Sequence, residues 1–410
     1  MWPGKPIYFC KTSGTTSGSK YIPISKESMP YHIKSARDAI LSYIAETKNT
    51  SIVRGKMIFL QGSPKLNSVG GVLTGRLSGI VTHHIPAYLK KNRLPSYKTN
   101  CIDDWEKKLD SIVDETIHER MSLISGIPPW VQMYFEKIKS KTNKKIGDVF
   151  PYFKLFIYGG VNFSPYKKTF ERLIGRRVDG VELYPASEGF IAYQNSQNDK
   201  GMLLCVNHGI FYEFIRADEF FNDSPKRISL KDVQMGVNYV IILNTNAGLF
   251  GYNIGDTVKF VSIDPYKIIV SGRIKHFTSA FGEHVIAEEV EKALKQAVDI
   301  TNCEVNEFHG APQVSPKRGL PYHEWFVEFQ KEPEELDLFA NKLDENLQSL
   351  NTYYKDLVSG NVLKKLKVTK VVPGGFKNHM KSIGKLGGQN KPPRLSNDRK
   401  TADCLEKFKS

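Results

Sequence analysis

The chain has 410 residues, 40% hydrophobic and 11% aromatic, with a formal net charge of +15 at pH 7. That make-up excludes a disordered or low-complexity chain and leaves room for roughly two or three domains. The apolar runs are too short to span a membrane, the N-terminus lacks a signal-peptide pattern, and five scattered cysteines without a C-x-x-C pair exclude a zinc ribbon or disulfide framework, so a cytoplasmic protein is expected.

Residues 7–9 form an apolar run that predicts a strand, and the chain after Ser25 predicts a helix over residues 26–47. Between them lies K-T-S-G-T-T-S-G-S-K-Y, residues 11–21, which the expectation places in a strand, loop, helix arrangement. Gly14 and Gly18 allow sharp turns and close approach of backbone N–H groups to an anion. Thr12, Ser13, Thr15, Thr16, Ser17 and Ser19 add hydroxyl donors and Lys20 a mobile positive charge. The loop is not a Walker A motif, because three residues rather than four separate its glycines and Ser19 precedes Lys20. Taken alone it reads equally well as a polyphosphate grip or as an ordinary hydroxyl-rich surface loop.

Farther on the pattern is mixed α/β. Residues 57–60 and 155–158 predict buried strands, and residues 130–139 and 166–174 predict helices, the latter capped by Ser164 and Pro165. Residues 181–183, 203–206, 211–215, 239–243, 258–261 and 268–270 predict a strand-rich middle. After Gly272 the pattern changes to a helix over 287–297, strands near Val305 and over 326–329, and a helix over 334–351, so a domain boundary is expected at Gly272 and Arg273. Residues 361–410 hold 13 Lys or Arg against three acids. Such a basic end suits a nucleotide, an acidic small molecule or a nucleic acid, although a charge run is commonly just a solvated surface, and nucleic acid is disfavoured because nothing of RRM or zinc-finger type accompanies it.

Two further segments carry chemistry. Tyr184-Pro185-Ala186-Ser187-Glu188-Gly189-Phe190 and Gly251-Tyr252-Asn253-Ile254-Gly255-Asp256 each set one acid on a glycine turn after a strand. Read with the loop, they resemble in order and kind the motifs of the GH3 family of acyl acid amido synthetases, within the adenylate-forming superfamily. The family's S-S-G-T-(T/S)-x-G-x-x-K is approached by residues 12–20, with Thr12 for the first serine and one residue fewer between Gly18 and Lys20; its Y-x-(A/S)-S-E is met by Tyr184 to Glu188, and its Y-R-x-G-D resembles Tyr252 to Asp256. The likeness extends through Tyr158-Gly159-Gly160 and residues 211–214 to Gln389-Asn390-Lys391-Pro392-Pro393-Arg394, and so covers most of the chain.

The resemblance implies an α/β fold, with a large adenylate-forming domain of mixed sheets flanked by helices at residues 1–272 and a small mobile α+β domain at 273–410. It implies a bacterial-type member that adenylates a small carboxylic acid with ATP and Mg²⁺ and passes the acyl group to an amino acid. It implies that Thr12, Ser13, Gly14, Thr15, Thr16, Gly18 and Lys20 hold phosphates and that Ser187 and Glu188 lie at the nucleotide, with Glu188 on the metal. Tyr184 would lie against adenine, Asp256 would bind the ribose hydroxyls, Lys391 would be the catalytic lysine, and Arg273 would sit at the hinge. Asn253 stands where the family has arginine, with Lys259 as a compensating cation. The chain begins close to the loop, so a form short of the family's N-terminal helical segment is expected. Transfer to coenzyme A, or nucleotide binding without turnover, are the alternatives. The acid is expected between the loop, the Gly70-Gly71 to Gly79 region and the Gly159-Gly160 turn; His83 and His84 are expected to have a structural or surface role rather than to be catalytic bases. No nucleic acid or membrane partner is expected, and the protein should be a monomer or weak dimer.

Overall fold

The computed structural model describes residues 4–12, 20–160, 163, 166–274, 277–278, 285–314, 316, 319–360, 362–386, 391–396 and 398–410. The chain forms two compact units: the first takes in the chain to Ile254 with Val258–Ile269, the second Gly255–Thr257 and most of the chain from Val270 onward.

In the first unit, β1 (Tyr8–Thr12) and β2 (Lys20–Ile24) pair antiparallel, with Thr12 opposite Lys20. The loop of residues 13–19 therefore joins two strands of a hairpin, which corrects the expected strand, loop, helix order. The reason lies in K-Y-I-P-I: Ile22 and Ile24 are buried and Tyr21 is exposed, the two-residue alternation of a strand. The helix follows at Met29–Thr47. β3 (Lys56–Phe59) enters a second sheet, while β4 (Asn67–Val69) and β5 (Val72–Gly75) complete the first in the order β2-β1-β5-β4. Gly70 and Gly71, at φ 58° and 78°, supply the left-handed turn between β4 and β5.

The second sheet adds β6 (Arg93–Leu94), β7 (Met121–Ser125), β8 (Leu155–Gly159), β9 (Asp179–Ala186), β10 (Gly189–Tyr193), β11 (Met202–Leu204), β12 (Ile210–Arg216), β13 (Asn238–Thr245), β14 (Tyr252–Ile263) and β15 (Tyr266–Arg273). Its order is β12-β13-β14-β15-β11-β10-β9-β8-β7-β3-β6. From β6 to β9 every neighbour is parallel, and from β9 through β10 and β11 to β15 neighbours are antiparallel. In the parallel part Ile58, Ile124 and Phe156 face the helices Trp105–Thr116, Pro128–Thr142 and Lys167–Ile174. Met57, Leu123, Leu155 and Ile157 face Ala39 and Tyr43 of Met29–Thr47. Burial on both faces is why these strands read as continuous apolar runs.

In the second unit, β16 (Phe277–Thr278) pairs with β17 (Val285–Ile286). β18 (Glu304–Gln313), β19 (Tyr322–Lys331) and β20 (Lys367–Val371) form a sheet in that order, antiparallel then parallel. Trp325, Val327 and Phe329 pack under the helices Ala287–Thr301 and Leu336–Leu350, and Phe326 packs on the opposite face with Val371, Phe376 and Leu405. Asp344 is fully buried, and its carboxylate accepts from Tyr354 Oη at 2.7 Å, Leu366 N at 2.9 Å and Gln348 Nε2 at 2.6 Å, which replaces the water it lost.

The fold is thus mixed α/β, as expected. The strand over β7 and the helix Trp105–Thr116 were not foreseen, and the cap at Ser164 and Pro165 lies outside the described residues. Among the described residues no helix is long and apolar enough to cross a membrane.

His32, buried in the helix Met29–Thr47 with no hydrogen-bond partner for Nδ1 among the described residues, has its pKa pushed by desolvation from near 6.5 down to about 4. Between those values the unfolded chain binds the proton and the folded chain does not. Stability supplied by this group is therefore present above pH 6.5 and lost as pH falls towards 4, at up to about 1.4 kcal/mol per pH unit. Urea midpoints of the wild type and His32→Leu between pH 4 and 7 measure this directly; the variant should show the shallower dependence, and parallel curves would refute the assignment.

Candidate active site

The hairpin β9–β10 is closed by two residues, Ser187 and Glu188, because Ala186 and Gly189 are already paired. So short a connection holds both side chains at the strand ends. Ser187 Oγ accepts from the thiol of Cys10 at 3.1 Å, and Cys10 is fully buried in β1. Burial pushes the Cys10 thiol up to about 11; the nearby Glu188 carboxylate pushes the same way, against the Ser187 hydrogen bond and the Arg76 charge. Tyr252, at the start of β14, donates its phenol proton to Glu188, and its pKa is raised first by burial and then by that carboxylate. Arg76 directly follows β5; it is partly buried, and desolvation lowers its pKa while the Cys10 thiol opposes that shift.

β1 and β2 are thus tied to the larger sheet of the same unit at two points. One is Cys10 with Ser187; the other is Ser25 Oγ, which donates to the Asn246 carbonyl at 3.1 Å. The tether brings one carboxylate, one phenol and one guanidinium to the strand that leads into the glycine and hydroxyl loop. Such a set can orient an anionic ligand and can contribute one oxygen ligand to a cation held mainly by that ligand. Among the described residues no group of three or more His, Cys, Asp or Glu could hold a metal ion alone.

The anticipated residues are distributed as follows. Thr12 ends β1 and Lys20, exposed, opens β2. Ser13, Gly14, Thr15, Thr16 and Gly18 lie outside the described residues. Tyr184 belongs to β9 and packs in the core with Ile191, Ala192 and Tyr212. Asp256 was expected on a turn between strands but lies inside β14, directly after Gly255. The positive φ of Gly255, 83°, bends the strand without ending it, as at a β-bulge. Lys259 lies in the same strand. Asp256, Arg273 at the end of β15, and Lys391 belong to the second unit. His83 Nε2 lies 2.9 Å from the Pro64 carbonyl and His84 Nε2 3.0 Å from Tyr8 Oη.

Cys10 and Arg76 escaped the sequence reading as site residues. A lone cysteine in an apolar strand and an arginine after a glycine carry no local signal; their meaning comes from neighbours distant in sequence.

A large mixed sheet flanked by helices, a smaller α+β unit and a hairpin bearing the glycine and hydroxyl loop define the adenylate-forming fold. The chain matches the structure of a 2-hydroxyisobutyryl-CoA ligase in the postadenylation state with a TM-score of 0.58 at 14% identity, over 97% of this chain and 75% of that one. It matches the GH3.15 acyl acid amido synthetase with a TM-score of 0.80 at 15% identity, over 99% of this chain and 82% of that one. Residues 1–99, 203–273 and 288–400 match the N-terminal, central and C-terminal domains of the GH3 family. The chain belongs to the GH3 family. A jasmonoyl–L-amino acid synthetase of Nicotiana attenuata is 23% identical over 325 residues, 62% of this chain. The chain spans about half the length of that curated relative, 55%.

The raised pKa and full burial of Cys10 make it a poor nucleophile. At pH 8, iodoacetamide should label the partly exposed Cys101 and Cys404 of the native protein well before Cys10, with peptide mapping by mass spectrometry as the readout. Early labelling of Cys10 would contradict the packing of β1 against the Ser187 turn.

Proposed function

We propose that the protein is an ATP-dependent ligase that adenylates a small carboxylic acid and transfers the acyl group to the amine of an amino acid. The observation that carries the reading is the placement of Glu188 on a two-residue turn, hydrogen-bonded by Tyr252 and braced through Ser187 to the strand that enters the glycine and hydroxyl loop. In the first half-reaction an oxygen of the acid attacks the α-phosphorus and the bond to pyrophosphate breaks. In the second, the amine attacks the acyl carbon and AMP departs.

Both partners of the first step are anions, so the site must supply donors and positive charge. Lys20 and the loop hydroxyls and N–H groups would take the β- and γ-phosphates. Arg76 adds a partly desolvated guanidinium, strengthened towards an anion by its low-dielectric surroundings. Asp256 would accept from the ribose hydroxyls, Tyr184 would border the adenine and Lys259 would supply the cation missing at Asn253. A Mg²⁺ ion fits a lone carboxylate, because this ion is usually held by one or two carboxylates and the substrate's phosphates, and when bound it neutralises phosphate charge. Glu188 is the carboxylate for that role. Lys391 would reach the α-phosphate and the acid from a small domain at residues 273–410, hinged at Gly272 and Arg273. Five free cysteines accord with a reducing, cytoplasmic setting.

ATP–pyrophosphate exchange over a panel of carboxylic acids tests the first half-reaction, and AMP release with amino acids in one series and coenzyme A in another identifies the acceptor. The fold is shared with an acyl-CoA ligase, so the thiol series is the discriminating control. Binding of ATP without exchange on any acid would reduce the protein to a nucleotide-binding one. Glu188→Ala and Asp256→Ala should each slow exchange at least about 100-fold, roughly 3 kcal/mol of transition-state stabilisation; normal exchange in folded Glu188→Ala would remove it from the metal site. Lys391→Ala should slow exchange while the Kd for ATP stays within about threefold, since the lysine acts on the reacting atoms rather than on ground-state binding.

A further inference from the structure

Lys391 opens K-P-P-R-L-S, residues 391–396, and the chain behind it is fastened to β18 within the second unit. The Arg394 carbonyl accepts from Gly310 N at 2.9 Å and the Gly310 carbonyl accepts from Ser396 N at 3.0 Å, so Leu395 bridges to Gly310 in parallel. Leu395 is buried in the core directly over Gly310, where an added Cβ would come within 3.1 Å of Leu395 Cδ1. Arg394 lies over the Phe308 ring, 4.6 Å from its centroid, and pairs with Glu307 at 3.2 Å.

One further contact reaches closer to the lysine. His309 is fully buried and its Nδ1 lies 2.7 Å from the carbonyl of Pro393. A carbonyl can only accept, so Nδ1 carries the proton and donates. Burial pushes the imidazole down to about 4; His379 and Arg399 act in the same direction, while the Pro393 hydrogen bond and Asp398 oppose them, so the ring is neutral near pH 7 and held in one tautomer. Among the described residues its Nε2 has no hydrogen-bond partner. An apolar residue would fill the same space without that cost, so the site makes sense if the donor to Pro393 is what matters.

Between this anchorage and Lys391 stand only Pro392 and Pro393. Their rings hold φ near −65°, and a Pro-Pro step is a stiff extended spacer of about 3 Å per residue. Fixing the Pro393 carbonyl therefore fixes much of where the Lys391 backbone can go. We propose that His309 is a positioning residue for Lys391, clamping the base of a rigid two-proline arm that carries the lysine to the reacting atoms; this rests on the reading of Lys391 given above.

The test is a double-mutant cycle read by pyrophosphate exchange, with the amides of Gly310 and Ser396 followed by hydrogen exchange. His309→Phe should lower kcat about 10-fold with the KM for ATP changed less than about twofold, as expected for lost orientation rather than lost binding. It should also speed hydrogen exchange at both amides. His309→Asn, which keeps an N–H donor, should recover most of the rate. His309→Phe combined with Lys391→Ala should be no slower than Lys391→Ala alone, because the clamp acts only through the lysine. Normal exchange in His309→Phe, or a deficit that adds in full to that of Lys391→Ala, overturns the proposal while leaving the role of Lys391 intact. Normal exchange in Lys391→Ala overturns the reading of the lysine, and the positioning role with it. If His309→Phe does not fold, the smaller His309→Leu, which also lacks the donor to the Pro393 carbonyl, enters the same cycle with the same expected and opposing outcomes.

Discussion

The close approach of β8 and β9 governs the first unit. Gly159 stands opposite Leu183, and a Cβ on Gly159 would overlap the Leu183 carbonyl oxygen, so only glycine permits the two backbones to lie there. With that register held, β9 runs past the end of β8 by Tyr184, Pro185 and Ala186 before turning at Ser187 and Glu188. A slip of one residue would move every side chain of β9 to the opposite face. The carboxylate proposed for the metal is placed by a packing constraint in the sheet, several residues from the chemistry.

Two side-chain hydrogen bonds, with the packing of Leu249 and Tyr252, help to position the small sheet. Cys10, in the middle of β1, and Ser25, directly after β2, each reach a different part of the larger sheet, through Ser187 and the Asn246 carbonyl. Ile22 and Ile24 bury the inner side of the hairpin with Cys10, Met29 and Ile80. The buried thiol suits this place: protonated, it is a compact donor to Ser187 that adds no charge beside Glu188.

The second unit uses buried carboxylates as its fasteners. Glu328 accepts from Gly374 N and Phe376 N at 3.1 Å and from Asn306 at 2.6 Å, which seats the start of the helix Gly375–Ser382 against β19. Glu324 accepts from Thr369 at 2.8 Å and pairs with Arg399 at 2.9 Å, joining β20 and the C-terminal segment to the same strand. Each acid is satisfied by several donors from elements far apart in sequence, which makes a charge in the interior tolerable and its removal costly. The segment behind Lys391 docks on a sheet stiffened in this way.

Local chemistry was legible in the amino-acid sequence. Apolar runs marked strands buried on two faces, helical spacing marked Pro128–Thr142 and Leu336–Leu350, and the order of the loop, Tyr184 to Glu188, and Tyr252 to Asp256 marked the family, because each depends on neighbours within a few residues. What the fold alone decided depends on distant partners. The loop joins a hairpin because Lys20 finds Thr12, Asp256 stays in a strand because Gly255 bends β14 without ending it, and His309 meets Pro393 across β18. Cys10 became a site residue only when the chain brought it to Ser187, 177 residues away, a pairing that no spacing or composition encodes. Sequence determined which groups the protein has to offer; the packing of sheets against helices decided which of them meet.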